Sequence, residues 1–139
     1  MNLDHIQRLL LASRETHAMA SLLIVDDEPE IREGLRDLLV SCGHSVVEAD
    51  DGAHGLLQLA RHDVDLVLLD IIMPCKEGIE TLQEIRRACP SVGIIAMSGH
   101  PSKDFYLGLA QRLGADAVLC KPFQPAELTR AMLHVLTTA

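Results

Sequence analysis

Residues 66–70 read Leu66-Val67-Leu68-Leu69-Asp70, an apolar run that stops abruptly on an acid. The pattern recurs along the chain. Leu22-Leu23-Ile24-Val25 stops on Asp26-Asp27-Glu28, Ile94-Ile95-Ala96-Met97 on Ser98, and Val118-Leu119-Cys120 on Lys121-Pro122. Runs this short and this apolar suit strands buried on both faces, as in a parallel sheet. In an open α/β sheet, ligands bind outside the carboxyl ends of the strands. Acids from two runs, a hydroxyl from a third and an ammonium from a fourth should therefore meet on one patch. Clustered carboxylates suit a divalent cation, and a hydroxyl beside a lysine suits an anion. Together they describe a place for Mg²⁺ and a phosphoryl group.

The segments between the runs carry a helical period. Pro29 suits the first turn of a helix. Ile31, Leu35, Leu38, Leu39 and Cys42 then make one apolar stripe, and Gly43 suits the position just past its end. Ser45–Ala49 reads as a second strand. Asp51-Gly52 turns the chain into a helix predicted to point Leu56, Leu57 and Ala60 inward. Residues 65–69 form the third strand, Ile79, Leu82 and Ile85 mark the next helix, and Pro90 stops it. Residues 92–97 follow as a strand. A helix from about Ser102 is expected to bury Phe105, Leu109 and Leu113, with Gly114 at its end. After the strand 116–120, Pro125 opens a last helix with Leu128, Ala131, Met132, Val135 and Leu136 inward. This is an α/β chain: a doubly wound, five-stranded parallel sheet with helices on both faces. Helix charges such as Arg86-Arg87 are read as a solvated face.

A chain of 139 residues makes one domain with a full core. Phe105, Tyr106 and Phe123 are its only aromatics, so that core must be aliphatic. The formal net charge of −8 argues against direct nucleic-acid binding, because phosphate contacts need a basic surface. No run approaches the ~18 apolar residues of a membrane span, and no secretory leader is evident. A cytoplasmic location follows by default. Cys42, Cys75, Cys89 and Cys120 form no C-x-x-C pair and no structural zinc site. Cys42 and Cys120 read as small core residues, and Cys75 as a loop residue. The seven histidines are scattered and read as surface or partly buried, not as ligands.

Residues 1–20 precede the first run and residues 21–139 make the folded domain. Leu3, Ile6 and Leu10 fall at helical spacing among Asp4, Arg8, Arg14 and Glu15. A short amphipathic helix docked on the domain, or on a second copy as a homodimer, stands beside two plainer readings: a frayed extension, and translation from Met19. After Lys121 only 18 residues remain, room for one helix and not for an effector domain.

Asp26-Asp27-Glu28, Asp70, Ser98 and Lys121-Pro122, in that order at four strand ends, resemble the receiver domain of two-component response regulators, of the stand-alone, chemotaxis-regulator-like kind. Met73-Pro74, Gly78 and Gly114-Ala115 fit the same pattern, and the match runs from about Leu22 to Leu136. The resemblance implies the flavodoxin-like strand order 2-1-3-4-5. It also implies roles. Asp70 would accept a phosphoryl group as an acyl phosphate. Asp27 and Asp70 would hold Mg²⁺ directly, Asp26 through water, and the Ile72 backbone carbonyl would complete the protein ligands. Lys121 and Ser98 would meet the phosphoryl oxygens, and the Lys121–Pro122 peptide would be cis. The implied partners are a histidine kinase or a histidine phosphotransfer protein as donor and an unidentified output protein. The chain would be a signalling phosphoacceptor with self-phosphorylation and self-dephosphorylation chemistry, not a conventional enzyme.

The chain departs from the family at Val118, where receivers commonly carry Tyr or Phe, with Tyr106 as a candidate substitute. Lys76 replaces a residue that is often apolar and would extend the positive field beside Asp70. By the same resemblance, Ile72 and His100 would flank the path of a hydrolytic water. Other functions fit less well. A receiver-like binding module that ignores phosphate would not need the complete acid, hydroxyl and lysine set. In that set, Asp26 and Asp27 would merely cap a helix and Lys121 would merely pair with Asp70. An Asp-dependent phosphatase usually needs a D-x-D pair and a cap. A flavin binder needs a phosphate-cradling loop and aromatics.

Overall fold

The computed structural model describes residues 20–72, 78–99 and 103–137. The stripe at Leu3, Ile6 and Leu10, the loop residues Met73, Pro74, Cys75 and Lys76, and His100, Pro101 and Ser102 lie outside the described residues. Among these described residues five strands alternate with five helices: β1 (Ser21–Val25), α1 (Pro29–Ser41), β2 (Ser45–Ala49), α2 (Gly52–Arg61), β3 (Leu66–Asp70), α3 (Gly78–Ala88), β4 (Gly93–Ser98), α4 (Lys103–Arg112), β5 (Ala117–Cys120) and α5 (Pro125–Thr137). All pairings are parallel and the strand order is β2-β1-β3-β4-β5. β3 and β4 each run one residue further than the apolar runs suggest. Asp70 and Ser98 are thus the last paired residues of their strands rather than the first of a loop.

Side chains alternate across a strand, so each strand feeds two cores. Leu22, Ile24, Leu66, Leu68, Ile95, Met97 and Leu119 face a layer that includes Leu35 and Leu39 of α1 and Leu128, Met132 and Val135 of α5. Leu23, Val25, Val67, Leu69, Ile94 and Ala96 face the other layer, with Leu82 and Ile85 of α3 and Leu107 and Ala110 of α4. The expected stripes of α1, α3 and α5 are the faces that pack.

Two helices turn differently from expectation. In α2 the inward positions are Gly52, Gly55, Leu56 and Leu59, while Leu57 and Ala60 are exposed. Gly55 explains the rotation, since a Cβ there would lie 3.0 Å from Val25 Cγ2. The helix approaches β1 across its smallest residue, and the apolar stripe follows that contact. In α4 the buried residues are Leu107 and Ala110. Phe105 is 62% exposed and meets Tyr106 edge-on at a ring-centroid distance of 5.4 Å. Cys120 is exposed as well: it closes an edge strand, where an apolar residue has cover on fewer sides. His44 is buried, and its Nδ1 accepts the Ala20 N–H at 3.3 Å.

Arg86 also departs from the solvated-face reading, whereas Arg87 keeps to it. From α3 its guanidinium donates to the Gly114 carbonyl through Nε (3.1 Å) and Nη2 (2.6 Å), and through Nη1 to the carbonyls of Pro90 (2.9 Å) and Val92 (2.7 Å). Nη2 also meets Asp116 Oδ2 at 3.0 Å, and that oxygen accepts the Ile94 N–H at 2.9 Å. One side chain thus ties α3 to the approaches of β4 and β5. Gly114 sits at φ +118°, where only glycine is unstrained. Arg86→Ala should lower unfolding stability by about 2 kcal/mol, because it strands several carbonyls at once. Lys should not rescue it, since an ammonium lacks the planar fork. Urea unfolding checks both, and a loss below ~0.5 kcal/mol, the range of an ordinary surface substitution, would show that the clamp is not stabilising.

Candidate functional site

Strand register places the site. Val25 pairs with Leu69, so Asp26 and Asp70 lie at the same level on neighbouring strands. Ser98 pairs with Cys120, so Lys121 stands beside Gly99. Asp26, Asp70 and Lys121 continue the parity of Ile24, Leu68 and Leu119, the residues facing α1 and α5. Ser98 has the opposite parity. It is fully buried at the end of β4, and its carbonyl accepts the Lys121 N–H at 2.9 Å.

Lys121 Nζ donates to Asp26 Oδ2 at 2.7 Å and to Asp70 Oδ2 at 3.1 Å, and stands 3.6 Å from Glu28 Oε1. Asp26 is fully buried, and its second oxygen accepts the Glu28 N–H at 2.9 Å. Asp70 Oδ1 accepts the Ile72 N–H at 3.0 Å. The Lys121–Pro122 peptide is cis, as the resemblance implies. Glu28 is exposed yet joins the cluster. One carboxylate oxygen from each of Asp26, Asp27, Glu28 and Asp70 lies within 4.8 Å of the others. The N-cap of α1 is Glu28 and makes no side-chain cap bond, so capping does not account for Asp26 and Asp27.

Four carboxylates face one ammonium. Burial raises the Asp70 pKa from 3.8 to about 6, against the pull of the Ile72 N–H and the Lys121 charge, with the Asp26 charge adding to the rise. Burial alone would lower the Lys121 pKa, but the Asp26 hydrogen bond and the charges of Asp70 and Asp26 outweigh it and raise it. The excess of hard oxygen donors over cations fits a small divalent ion.

Gly78 decides how closely α3 approaches. A Cβ there would fall 2.1 Å from Ile71 Cα and 2.5 Å from the Asp70 carbonyl oxygen, and the Gly78 N–H donates to the Ile71 carbonyl at 3.0 Å. Beside the acids, Ile31, Gly34 and Leu35 of α1 and Pro122 and Phe123 line a cavity of about 640 Å³ that also reaches Asp70, Ile72 and Lys121. Sequence reasoning missed this groove. It joins apolar residues nearly ninety positions apart, which no local pattern links.

The sheet order and this arrangement define a flavodoxin-like α/β domain with an acidic cluster and a lysine at the carboxyl ends of its strands. The family profile described as response regulator receiver domain matches residues 22–133, and the chain belongs to that family. The transcriptional regulatory protein CpxR of Klebsiella pneumoniae is 40% identical over 118 residues, which make up 85% of this chain and 50% of CpxR. A CheY-like response regulator receiver domain protein from Methanospirillum hungatei superposes with a TM-score of 0.80 at 28% identity, covering 86% of this chain and 95% of that one. The receiver domain of NtrX from Brucella abortus gives a TM-score of 0.80 at 30% identity, covering 85% and 99%. The chain spans about half the length of the curated relatives it matches. Among the described residues no helix is long and apolar enough to cross a membrane.

Proposed function

We propose that this receiver domain takes a phosphoryl group onto Asp70 from a phosphohistidine of a histidine kinase or phosphotransfer protein, in the cytoplasm, and signals through protein contact. The observation that carries the reading is a buried carboxylate, Asp70, at the edge of an oxygen cluster and 3.1 Å from an ammonium. Asp27, Asp70 and the Ile72 carbonyl would hold Mg²⁺, with Asp26 acting through water. When bound, the ion neutralises charge on the phosphoryl oxygens.

The chain's own residues do the rest. With a pKa of about 6, Asp70 is ionised at neutral pH and poorly solvated, which suits a nucleophile. Its oxygen attacks phosphorus, the P–N bond of the donor breaks, and the leaving imidazole keeps the electron pair and takes a proton. Lys121 and Ser98 donate to the transferred oxygens, so catalysis is positioning plus charge neutralisation. The groove between α1 and Phe123 offers apolar surface beside Asp70, which favours a protein donor over a free metabolite.

The test is to incubate the chain with Mg²⁺ and a small-molecule phosphodonor and to weigh the product. One added phosphoryl group is expected, and none would overturn the reading. The lifetime of that group tests a second point. Ile72 borders the cavity and carries no group that could orient water. Ile72→Asn should therefore speed phosphate loss several-fold after donor removal. An unchanged or slower rate would show that Ile72 does not govern the water.

A further inference from the structure

The Asp26–Asp27 turn is held from outside the acidic cluster. Arg32, one turn into α1, donates Nη1 to the Asp26 carbonyl oxygen at 2.8 Å and Nε to Glu48 Oε1 at 3.1 Å. Glu48, on β2, receives Arg36 Nη1 on its other oxygen at 2.9 Å. The Arg32 side chain is only 15% exposed. From the other side, the Asp26 N–H donates to the Ala49 carbonyl at 3.1 Å. The peptide joining Asp26 to Asp27 therefore has its carbonyl gripped by a guanidinium that is itself anchored. Asp26 has further ties through Lys121 and the Glu28 N–H. Among the described residues the Asp27 carboxylate has no such tie, so its aim depends on the backbone that carries it.

We propose that Arg32, anchored by Glu48, is a positioning residue for the divalent-cation site, and that it aims Asp27 by fixing the Asp26–Asp27 peptide. The proposal rests on reading the acidic cluster as a Mg²⁺ site. Its sign separates it from simple electrostatics. A positive charge near a cation site repels the ion, so a purely electrostatic Arg32 would weaken Mg²⁺ binding and its removal would tighten it. Pairing with Glu48 balances that charge and leaves geometry as the main effect.

Calorimetric titration of Mg²⁺ into the full chain, well below its melting temperature, distinguishes the two. Arg32→Gln should weaken Mg²⁺ about tenfold, the size of effect found when a partner that orients a metal ligand is lost. Arg36→Gln, which leaves the Asp26 carbonyl grip intact, should change affinity less than about twofold. Arg32→Lys keeps the charge but lacks the planar fork that holds the Asp26 carbonyl and Glu48 together, and should weaken Mg²⁺ several-fold, where a purely electrostatic role would leave the affinity unmoved. Melting in chelator reads the structural contribution separately: a merely structural Arg32 would lower the melting temperature and leave the affinity unmoved. Unchanged or tighter binding in Arg32→Gln, or unchanged binding in Arg32→Lys where Arg32→Gln does not fold, overturns the proposal. A wild-type chain that gives no Mg²⁺ heat overturns the metal-site reading instead.

Discussion

Asp70→Asn should leave the chain folded and take its uptake of a phosphoryl group to background. The substitution keeps the shape of the side chain and removes the anionic oxygen that attacks phosphorus. Among the described residues no other carboxylate combines the end of β3 with Lys121 at 3.1 Å and burial from competing water. The same change should raise stability at neutral pH in the absence of metal, because it deletes a charge that burial disfavours. Mass measurement after phosphodonor treatment and a melting curve in chelator check the two halves. Full labelling of the Asn variant at another residue would remove Asp70 from its role, and loss of labelling together with unfolding would void the comparison.

The second large effect couples Mg²⁺ to pH. Without metal, Asp70 titrates at about 6 when folded against 3.8 as the reference value. The folded state then holds the proton more tightly than the unfolded chain between those values. Its raised pKa therefore favours folding at low pH, and that advantage is lost as pH rises from about 4 to about 6. The gap corresponds to about 3 kcal/mol at full effect. A cation that binds only the folded, ionised site reverses the loss, adding about 2.7 kcal/mol at a hundred times its dissociation constant. Millimolar Mg²⁺ should accordingly raise the melting temperature by several degrees near neutral pH and by little near pH 4.5, where protons hold the site. Asp27→Ala should lose most of the rise. An equal rise at both pH values, or in both proteins, would place the ion elsewhere.

The site was legible because its residues sit where strands stop, and a change from apolar to polar marks such ends in sequence. Asp26, Asp70, Ser98 and Lys121 each follow a run of aliphatics, and parallel strands bring their carboxyl ends together. The stripes of α1, α3 and α5 were legible for the same reason, being rows of large side chains at helical spacing. The orientation of α2 was not, because its closest approach is made by Gly55, which hydropathy scarcely registers. Phe105 and Cys120 misled in the other direction, since an apolar side chain on α4 or at the end of an edge strand need not find cover. Arg86 and Arg32 looked like ordinary helix charges. Their carbonyl partners belong to other segments, and nothing in a one-dimensional pattern pairs them. The family resemblance supplied the strand order and the cis peptide, which patterning alone did not. Val118 stands where the family often carries an aromatic, and both Val118 and Tyr106 pack against the core beneath α3 and α4.

The fit of Gly78 against Ile71 bears on what a change at Asp70 can do. A Cβ on the first residue of α3 would collide with the main chain that follows Asp70. Such a joint has no slack. If the end of β3 shifts by a few tenths of an ångström, α3 must travel with it or the contact must break. The helix is thus geared to the strand as a follower is to a cam, and the smallest side chain in the alphabet sets the clearance.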